Sequence, residues 1–565
     1  MTRLKGMDVA KQSTAVNSAK ELVFEERAEN LSKSDLNRLT ILSDAERAIV
    51  QKLVGPGAKL LSGPRGSGKS TLLRTAFFEA ARTKVAFAVY VNYAKALATE
   101  PLFHTHADAA VLFRQWVLSK VLIALREASE TWGLSLSQEE LSKIEAAEEY
   151  VQVLQSGSAS SSSPGLSPSK LTEMLAQVAN RAGASRTVLL LDDAAHAFSV
   201  KQQREFFEIF RELRSRDVSG KAAIYPGVTS FSPTFQVGHE AELIEAWFRP
   251  DEPGYLEIMR QIVKARFPEF SPKDPAVIDV LALASFGLPR GFLGMCYELQ
   301  DSGNANGSRP AVVDQVNVHA DLVRTVFSNI ADRLPRFEHF ISAGKIFERS
   351  SVAALRDYNA GKSIGRKAGT IALSEPIPPG LNRVLSFMEY AGLVRRTEGV
   401  LSKGVKGSYK RYLIHYSLLI GGNALSLGKS YKLSDIATAL ERPHGHALVK
   451  TKAETLLGKS FESQCVLALP PCPQCGANRL TEDQKFCMNC GKELRAASVY
   501  HDLLQADVAR LPLTRRKVDA LKLQGFHTVG QLLSDESQSF RRPGSSIGPV
   551  WAKRILTVAE EWVSV

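Results

Sequence analysis

The run Gly63-Pro-Arg-Gly-Ser-Gly-Lys-Ser-Thr71 constrains this chain more than any other feature. It fits G-x-x-x-x-G-K-[ST], and its surroundings fit as well. Ala58–Ser62 (AKLLS) reads as a buried strand leading into the turn, and Leu72–Ala81, rich in helix formers, follows it. Gly63, Gly66 and Gly68 let backbone N–H groups curl around an anion without a Cβ clash. The helix that starts at the loop turns its positive dipole end toward the same point. Lys69 is placed to reach the outer phosphates as a point charge. Ser70 offers a hydroxyl to Mg²⁺, a hard cation that takes oxygen ligands. Pro64, Arg65, Ser67 and Thr71 complete a phosphate-binding loop for a nucleotide.

Alternating strands and helices run to about residue 235, which implies a parallel α/β sheet. Thr187–Leu191 (TVLLL) is a continuous apolar strand with Asp192 and Asp193 at its C-terminal end, where open α/β sheets present functional groups. Asp192 is expected to hold Mg²⁺ through water. Asp193 is the candidate general base for an attacking water; capping of the next helix is the competing role. Lys221–Ser230 (KAAIYPGVTS) reads as a further strand. Thr229 at its end is the candidate polar contact to the terminal phosphate, with Ser230 as its competitor. Gly287-Leu-Pro-Arg290 lies between two helical stretches. Pro289 is pre-organised for a first helical position, and Arg290 could then reach the nucleotide from a lid.

The loop Gly63–Ser70, the strand ending in Asp192-Asp193 and the Gly287–Arg290 turn together resemble AAA+ ATPases. Within that family the resemblance is to the origin-recognition/initiator branch, or to related signal-transduction ATPases with a G-x-P lid motif, and it spans roughly residues 40–440. It implies ATP and Mg²⁺ as ligands, ATP hydrolysis, and a homo-oligomer. The family usually has Asp-Glu where this chain has Asp192-Asp193, which leaves the hydrolysis rate open. Arg211, Arg214, Arg216 and Arg249 are equal candidates for an arginine finger.

The expected division is an N-terminal arm (1–40), a P-loop core (41–240), a helical lid (241–334), a winged-helix-like domain (335–440), a linker (441–470), a zinc ribbon (471–495) and a helix-hairpin-helix-like domain (498–565). The fold class is thus an α/β P-loop AAA+ core with helical lid, winged helix, four-cysteine zinc ribbon and small all-α C-terminal domain. Ser156–Ser169 is low-complexity and reads as a flexible surface loop.

An amphipathic helix over Leu381–Ala391, a strand from Leu393, a glycine-rich turn over Ser402–Ser408 and a strand over Tyr409–Tyr416 follow in order. That order resembles a winged helix. Residues 395–411 hold six basic residues and one acidic. Lys403 and Lys406 at the tip, with Lys410 and Arg411 beside it, are candidate phosphate contacts, which give affinity but not sequence readout. A solvated hairpin or a protein-docking module is the alternative.

Cys472-Pro-Gln-Cys475-Gly and Cys487-Met-Asn-Cys490-Gly are two C-x-x-C-G knuckles with eleven residues between them. Four thiolates complete a closed tetrahedral Zn²⁺ site, which is structural rather than catalytic. Such ribbons bind nucleic acid or protein. From Leu511 to Val565, two helical stretches surround Gly525-Phe-His-Thr-Val-Gly530, and Ile547-Gly-Pro opens a last helix. This resembles a helix-hairpin-helix module like the C-terminal domain of the bacterial RNA polymerase α subunit. The resemblance implies DNA phosphate contacts near Gly548, flanked by Arg541, Arg542, Lys553 and Arg554, although Pro549 removes one backbone donor.

The formal net charge of +12 favours an anionic partner, duplex DNA first. No window is long and apolar enough for a membrane span, and the N-terminus lacks a signal-peptide core, so a cytoplasmic location is expected. Two functions remain. One is an ATP-dependent nucleic-acid-binding switch. The other is an ATP-controlled signalling or scaffold ATPase of a bacterial defence or mobile-element system, whose C-terminal modules bind a protein.

Overall fold

The computed structural model describes residues 28–94, 99, 108–155, 163–193, 200–304, 306–402, 408–441, 447–469, 471–479, 484–494, 499–535, 537–541 and 547–563. Most of the N-terminal arm and half of the serine-rich stretch therefore lie outside the described residues.

The first unit is built on helix α1 (Asp44–Val54), strand β1 (Lys59–Ser62), helix α2 (Lys69–Thr83) and strand β2 (Phe87–Asn92). It continues through α3 (Ala109–Trp132), β3 (Thr187–Asp192), α4 (Val200–Glu212), β4 (Val218–Ile224) and β5 (Glu242–Glu245). A capping box opens α1: the Ser43 hydroxyl accepts from the Glu46 N–H, and the Ser43 N–H donates to the Glu46 carboxylate. The sheet order is β2-β3-β4-β1-β5, with neighbouring strands parallel. Helices cover both faces, so β3 and β4 are buried along their whole length. That is why TVLLL is uniformly apolar rather than alternating. Side chains such as Leu60, Phe77, Val89, Trp116, Leu189 and Phe207 form the core of this unit.

Four helices follow: α5 (Tyr255–Arg266), α6 (Ala276–Ala284), α7 (Pro289–Asp301) and α8 (Arg309–Arg333). Next come α9 (Glu338–Asn359), β6 (Thr370–Ser374), α10 (Pro379–Tyr390), β7 (Val394–Ser402), β8 (Ser408–Ile414) and β9 (Val449–Thr451). The second sheet has the order β7-β8-β6-β9, with β8 antiparallel to both neighbours and β9 parallel to β6. The sequence suggested a lid, a further domain and a linker in these stretches. One continuous apolar core nevertheless runs through all three, from Trp247 to Cys465. Segment 441–470, read above as a linker, contributes β9 to the sheet and buries Ala453, Leu456 and Phe461 in that core. Three-residue strands carry too little pattern to be seen in a sequence.

The C-terminal unit contains α11 (Val499–Gln505), α12 (Arg515–Leu523), α13 (Val529–Ser534) and α14 (Pro549–Val563) around a core that includes Leu521, Phe540, Trp551, Ile555 and Trp562. Tyr297 of α7 packs against this core, its ring 6.5 Å from that of Trp551. The unit is thus seated on the helices that follow the first sheet. Among the described residues, no helix is long and apolar enough to cross a membrane.

Candidate nucleotide site and cysteine cluster

The loop after β1 is shaped by its glycines. Gly66 and Gly68 have φ of +77° and +90°, where a Cβ is strained. A Cβ on Gly63 would stand 2.5 Å from the Ala246 carbonyl oxygen. Gly68 caps α2, and Lys69 is its first residue. The Lys69 ammonium donates to the carbonyls of Gly63 (2.7 Å) and Pro64 (3.0 Å). It also lies 3.7 Å from the centre of the Tyr225 ring. Burial brings its pKa down to about 7, against the pull of Asp193 and Asp192.

Asp192 ends β3 fully buried. Its carboxylate accepts from the Tyr90 phenol (2.7 Å), from the Asp193 N–H (3.0 Å) and from the Ser70 side chain. Burial, helped by the neighbouring Asp193 charge, pushes its pKa up to about 6. A hydroxyl and a carboxylate on one side of the loop are hard oxygen donors, which fits Mg²⁺. Asp193 adopts φ +50°, which turns its side chain away from the strand direction. Its carboxylate accepts from the Tyr225 phenol at 2.9 Å.

The structure places Tyr225, rather than Thr229, against Lys69 and Asp193. Tyr225 directly follows β4, so its ring lies at the C-terminal edge of the sheet. The Thr229 hydroxyl bonds the N–H and C=O of Tyr225, at 3.0 and 2.9 Å, and holds the turn beyond β4. The Ser230 N–H donates to Gln203. From sequence, a short polar side chain, Thr229 or Ser230, is expected at the end of KAAIYPGVTS. A tyrosine there reads as strand interior, and only the strand's end point reveals its role. Ser386 of α10 closes on Gly227, and the Tyr390 ring stands 5.7 Å from that of Tyr225.

Arg290 is the second residue of α7, after Pro289. A Cβ on Gly66 would lie 3.4 Å from the Arg290 Cβ, so α7 begins directly over the loop. The turn before it is locked: Gly287 has φ +79°, and a Cβ there would meet the Phe248 carbonyl oxygen at 1.8 Å. The Trp247 indole N–H donates to the Phe286 carbonyl at 2.9 Å. Segment 246–248 after β5 therefore positions both the phosphate loop and α7. The Arg290 guanidinium donates to Glu561 of α14 at 2.7 Å, and Arg65 donates to the Glu561 backbone carbonyl at 3.0 Å. Arg333, near the end of α8, is buried, and burial lowers its pKa to about 9, with Arg65 adding to the effect. Glu561 carries no sequence signal, because it reaches the loop through tertiary folding alone.

Of the finger candidates, Arg211 pairs with Glu208, Arg214 with Glu240 and Arg249 with Asp251; Arg216 is exposed.

The four sulfurs of Cys472, Cys475, Cys487 and Cys490 lie within 4.8 Å of one another. Two sulfur pairs stand at 3.6 and 3.5 Å. Tetrahedral Zn²⁺ with bonds of about 2.3 Å puts sulfurs about 3.8 Å apart, so the cluster is sized for one such ion. The two knuckles are alike: the Gly476 N–H donates to the Cys472 carbonyl and the Gly491 N–H to that of Cys487, with φ of +72° and +71°. The exposed rings and thioethers of Phe486 and Met488 flank the second knuckle.

Lys403, Lys406 and Arg542 lie outside the described residues. Lys410 on β8 pairs with Glu375 at 3.2 Å, and Arg411 is its neighbour on that strand. Arg541 bonds Gln538 near the surface, and Lys553 is half-buried on α14. Arg554 turns inward: its guanidinium lies 4.9 Å from the Trp551 ring and against Gly294 of α7.

A comparison with curated proteins returns no match. Among solved structures, the chain is similar to the Aeropyrum pernix Orc1 protein in complex with DNA, at 16% identity over 68% of this chain and 93% of that one, with a TM-score of 0.26. It is also similar to Cdc6p from Pyrobaculum aerophilum, at 12% identity over 74% of this chain and 98% of that one, with a TM-score of 0.29. Scores this low describe a loose overlap of whole chains. Residues 43–219 match the AAA ATPase domain family, a span that opens at the α1 cap and closes at the start of β4. That span contains both the loop at 63–71 and Asp192-Asp193.

Proposed function

We propose that this chain binds and hydrolyses MgATP at residues 63–71, and uses the nucleotide state to control engagement of duplex DNA or self-assembly. The observation that carries the reading is the meeting of Lys69, Ser70, Asp192, Asp193 and Tyr225 at the C-terminal ends of β1, β3 and β4, beneath Arg290. Backbone N–H groups of residues 63–71 bind the polyphosphate. Lys69 moves from the loop carbonyls to the outer phosphates, where an anion restores its full charge. Ser70 and Asp192 would hold Mg²⁺, which when bound would screen the charge of the polyphosphate. Asp193, fixed by the Tyr225 phenol, orients and polarises the attacking water. Arg290 approaches the terminal phosphate from α7 and stabilises its developing charge.

The net charge of +12 and the basic strand β8 support an anionic partner. The cysteine cluster takes one structural Zn²⁺. The second reading, an ATP-controlled scaffold with a protein partner, is favoured by one observation: Arg554, a candidate DNA contact, is packed on α7 instead of facing outward. ATPase rates with and without duplex DNA, with Lys69→Ala and Asp193→Ala as controls, separate the two. DNA stimulation lost in both variants supports the switch. A DNA-independent rate with ATP-dependent assembly supports the scaffold.

A further inference from the structure

Helix α14 crosses the mouth of the phosphate loop, and Glu561 is the residue that meets it. Its carboxylate accepts from Arg290 at 2.7 Å and stands 3.9 Å from Arg65, while its backbone carbonyl accepts from Arg65 at 3.0 Å. The Glu561 side chain is 21% exposed and that of Arg65 17%, so the contact is shielded from solvent. The neighbouring Trp562 is buried. Its N–H donates to the Leu503 carbonyl, and the Arg333 guanidinium stands 4.5 Å from its ring centre. On the α8 side, Asn329 donates to the Arg510 carbonyl at 2.7 Å, and Arg510 pairs with Asp332. The C-terminal unit is therefore fastened at both ends of one face: by Glu561 at the loop and by Arg510 at the end of α8.

Chemistry makes the Glu561 contact the notable one. Arg65 belongs to the phosphate loop and Arg290 to the turn that begins over it. Both are suited to phosphate oxygens, which accept guanidinium hydrogen bonds as carboxylates do. A polyphosphate brings more negative charge to that place than one carboxylate does. We propose that α14 is a latch displaced by nucleotide: Glu561 occupies, on Arg65 and Arg290, the place of a phosphate oxygen, so MgATP binding and seating of residues 499–563 oppose each other. Linkage makes the opposition reciprocal. Nucleotide loosens the C-terminal unit, and a partner that holds the freed unit tightens nucleotide binding. Release uncovers Trp551 and Arg554, which are seated against Tyr297 and Gly294 of α7. The basic side chain that the docked state hides thus becomes available only in the nucleotide-bound state.

The latch rests on the nucleotide reading above, and the test keeps the two apart. Binding of MgATPγS is measured for the full chain and for Glu561→Ala, with hydrogen exchange of α14 and α12 followed alongside. Glu561→Ala is expected to bind roughly tenfold tighter, the factor for one charge-assisted hydrogen bond removed from the latched state. In the parent chain, MgATPγS is expected to raise exchange in α14 while α12 stays protected. Unchanged affinity with α14 protected at saturating nucleotide overturns the latch. Should Glu561→Ala expose α12 as well, Asn329→Ala decides, since it loosens the same seating from α8 without touching either arginine; tighter binding supports the latch and equal binding overturns it. Absence of any binding that Lys69→Ala abolishes would instead sink the nucleotide reading itself.

Discussion

If the site hydrolyses ATP as proposed, replacing Tyr225 with phenylalanine should separate catalysis from binding. The phenol makes one hydrogen bond to Asp193, at 2.9 Å, and the ring makes a separate contact with Lys69, at 3.7 Å. Tyr225→Phe removes the first and keeps the second. A hydrogen bond to a charged acceptor is worth about 1.5–3 kcal/mol, and Asp193 would lose the anchor that aims it at the water. If that anchoring is needed in the transition state, kcat falls roughly 10- to 100-fold, at about 1.4 kcal/mol per decade. Affinity for MgATP stays within about twofold, because the loop, Lys69 and the ring are untouched. Tyr225→Leu adds loss of the cation–π contact, about 0.5–2 kcal/mol, and should weaken nucleotide binding as well. The assay is steady-state phosphate release beside a titration with a fluorescent nucleotide. An unchanged kcat in Tyr225→Phe, or a loss of affinity equal to the loss of rate, would refute the assignment of Tyr225 as the group that positions Asp193.

Three further outcomes are expected. Metal analysis should find one zinc per chain, lost in Cys487→Ser, with hydrogen exchange rising in residues 471–494 and ATPase activity retained, since none of the four cysteines is among the residues proposed to hold nucleotide. Gly287→Ala should destabilise the fold by more than about 3 kcal/mol in urea unfolding, because it adds a Cβ at φ +79° against the Phe248 carbonyl oxygen. Glu389 is raised from 4.5 to about 7 by burial, against the hydrogen bond from the Arg396 N–H. Because the folded value lies above the unfolded one, its contribution is intact below about pH 4.5 and is lost as pH rises through about 7. Glu389→Gln should therefore add up to about 3 kcal/mol at pH 8 and nothing near pH 4, as read by urea midpoints at the two pH values.

Local order was sufficient for the phosphate loop, the buried strand that ends at Asp192 and the two cysteine knuckles. Each is written in consecutive residues, because a turn that cradles an anion or clasps an ion must be made by neighbouring backbone. The positions of the glycines, of Lys69 and of the thiolates follow from such geometry directly. What packs about the loop does not. Tyr225 lies against Lys69, Glu561 against Arg65 and Arg290, and Trp247 against the turn before α7; they come from three distant segments, and nothing in their own neighbourhoods marks them. The same holds for 441–470: its three-residue strand exists because β6 offers an open edge, not because VKT favours a strand on its own.

The chain's order of residues alone thus determined where the glycine-rich loop and the four-cysteine cluster form, since both are built by short turns with glycine at the points that need positive φ. Only the tertiary structure decided what else stands at that loop. A tyrosine at a strand's end, an arginine on a later helix and a glutamate near the last residue meet there because packing of apolar faces brings their backbones together. Once that packing is made, opposite charges shielded from water select one another, and an arginine read as a DNA contact is turned inward against α7 instead.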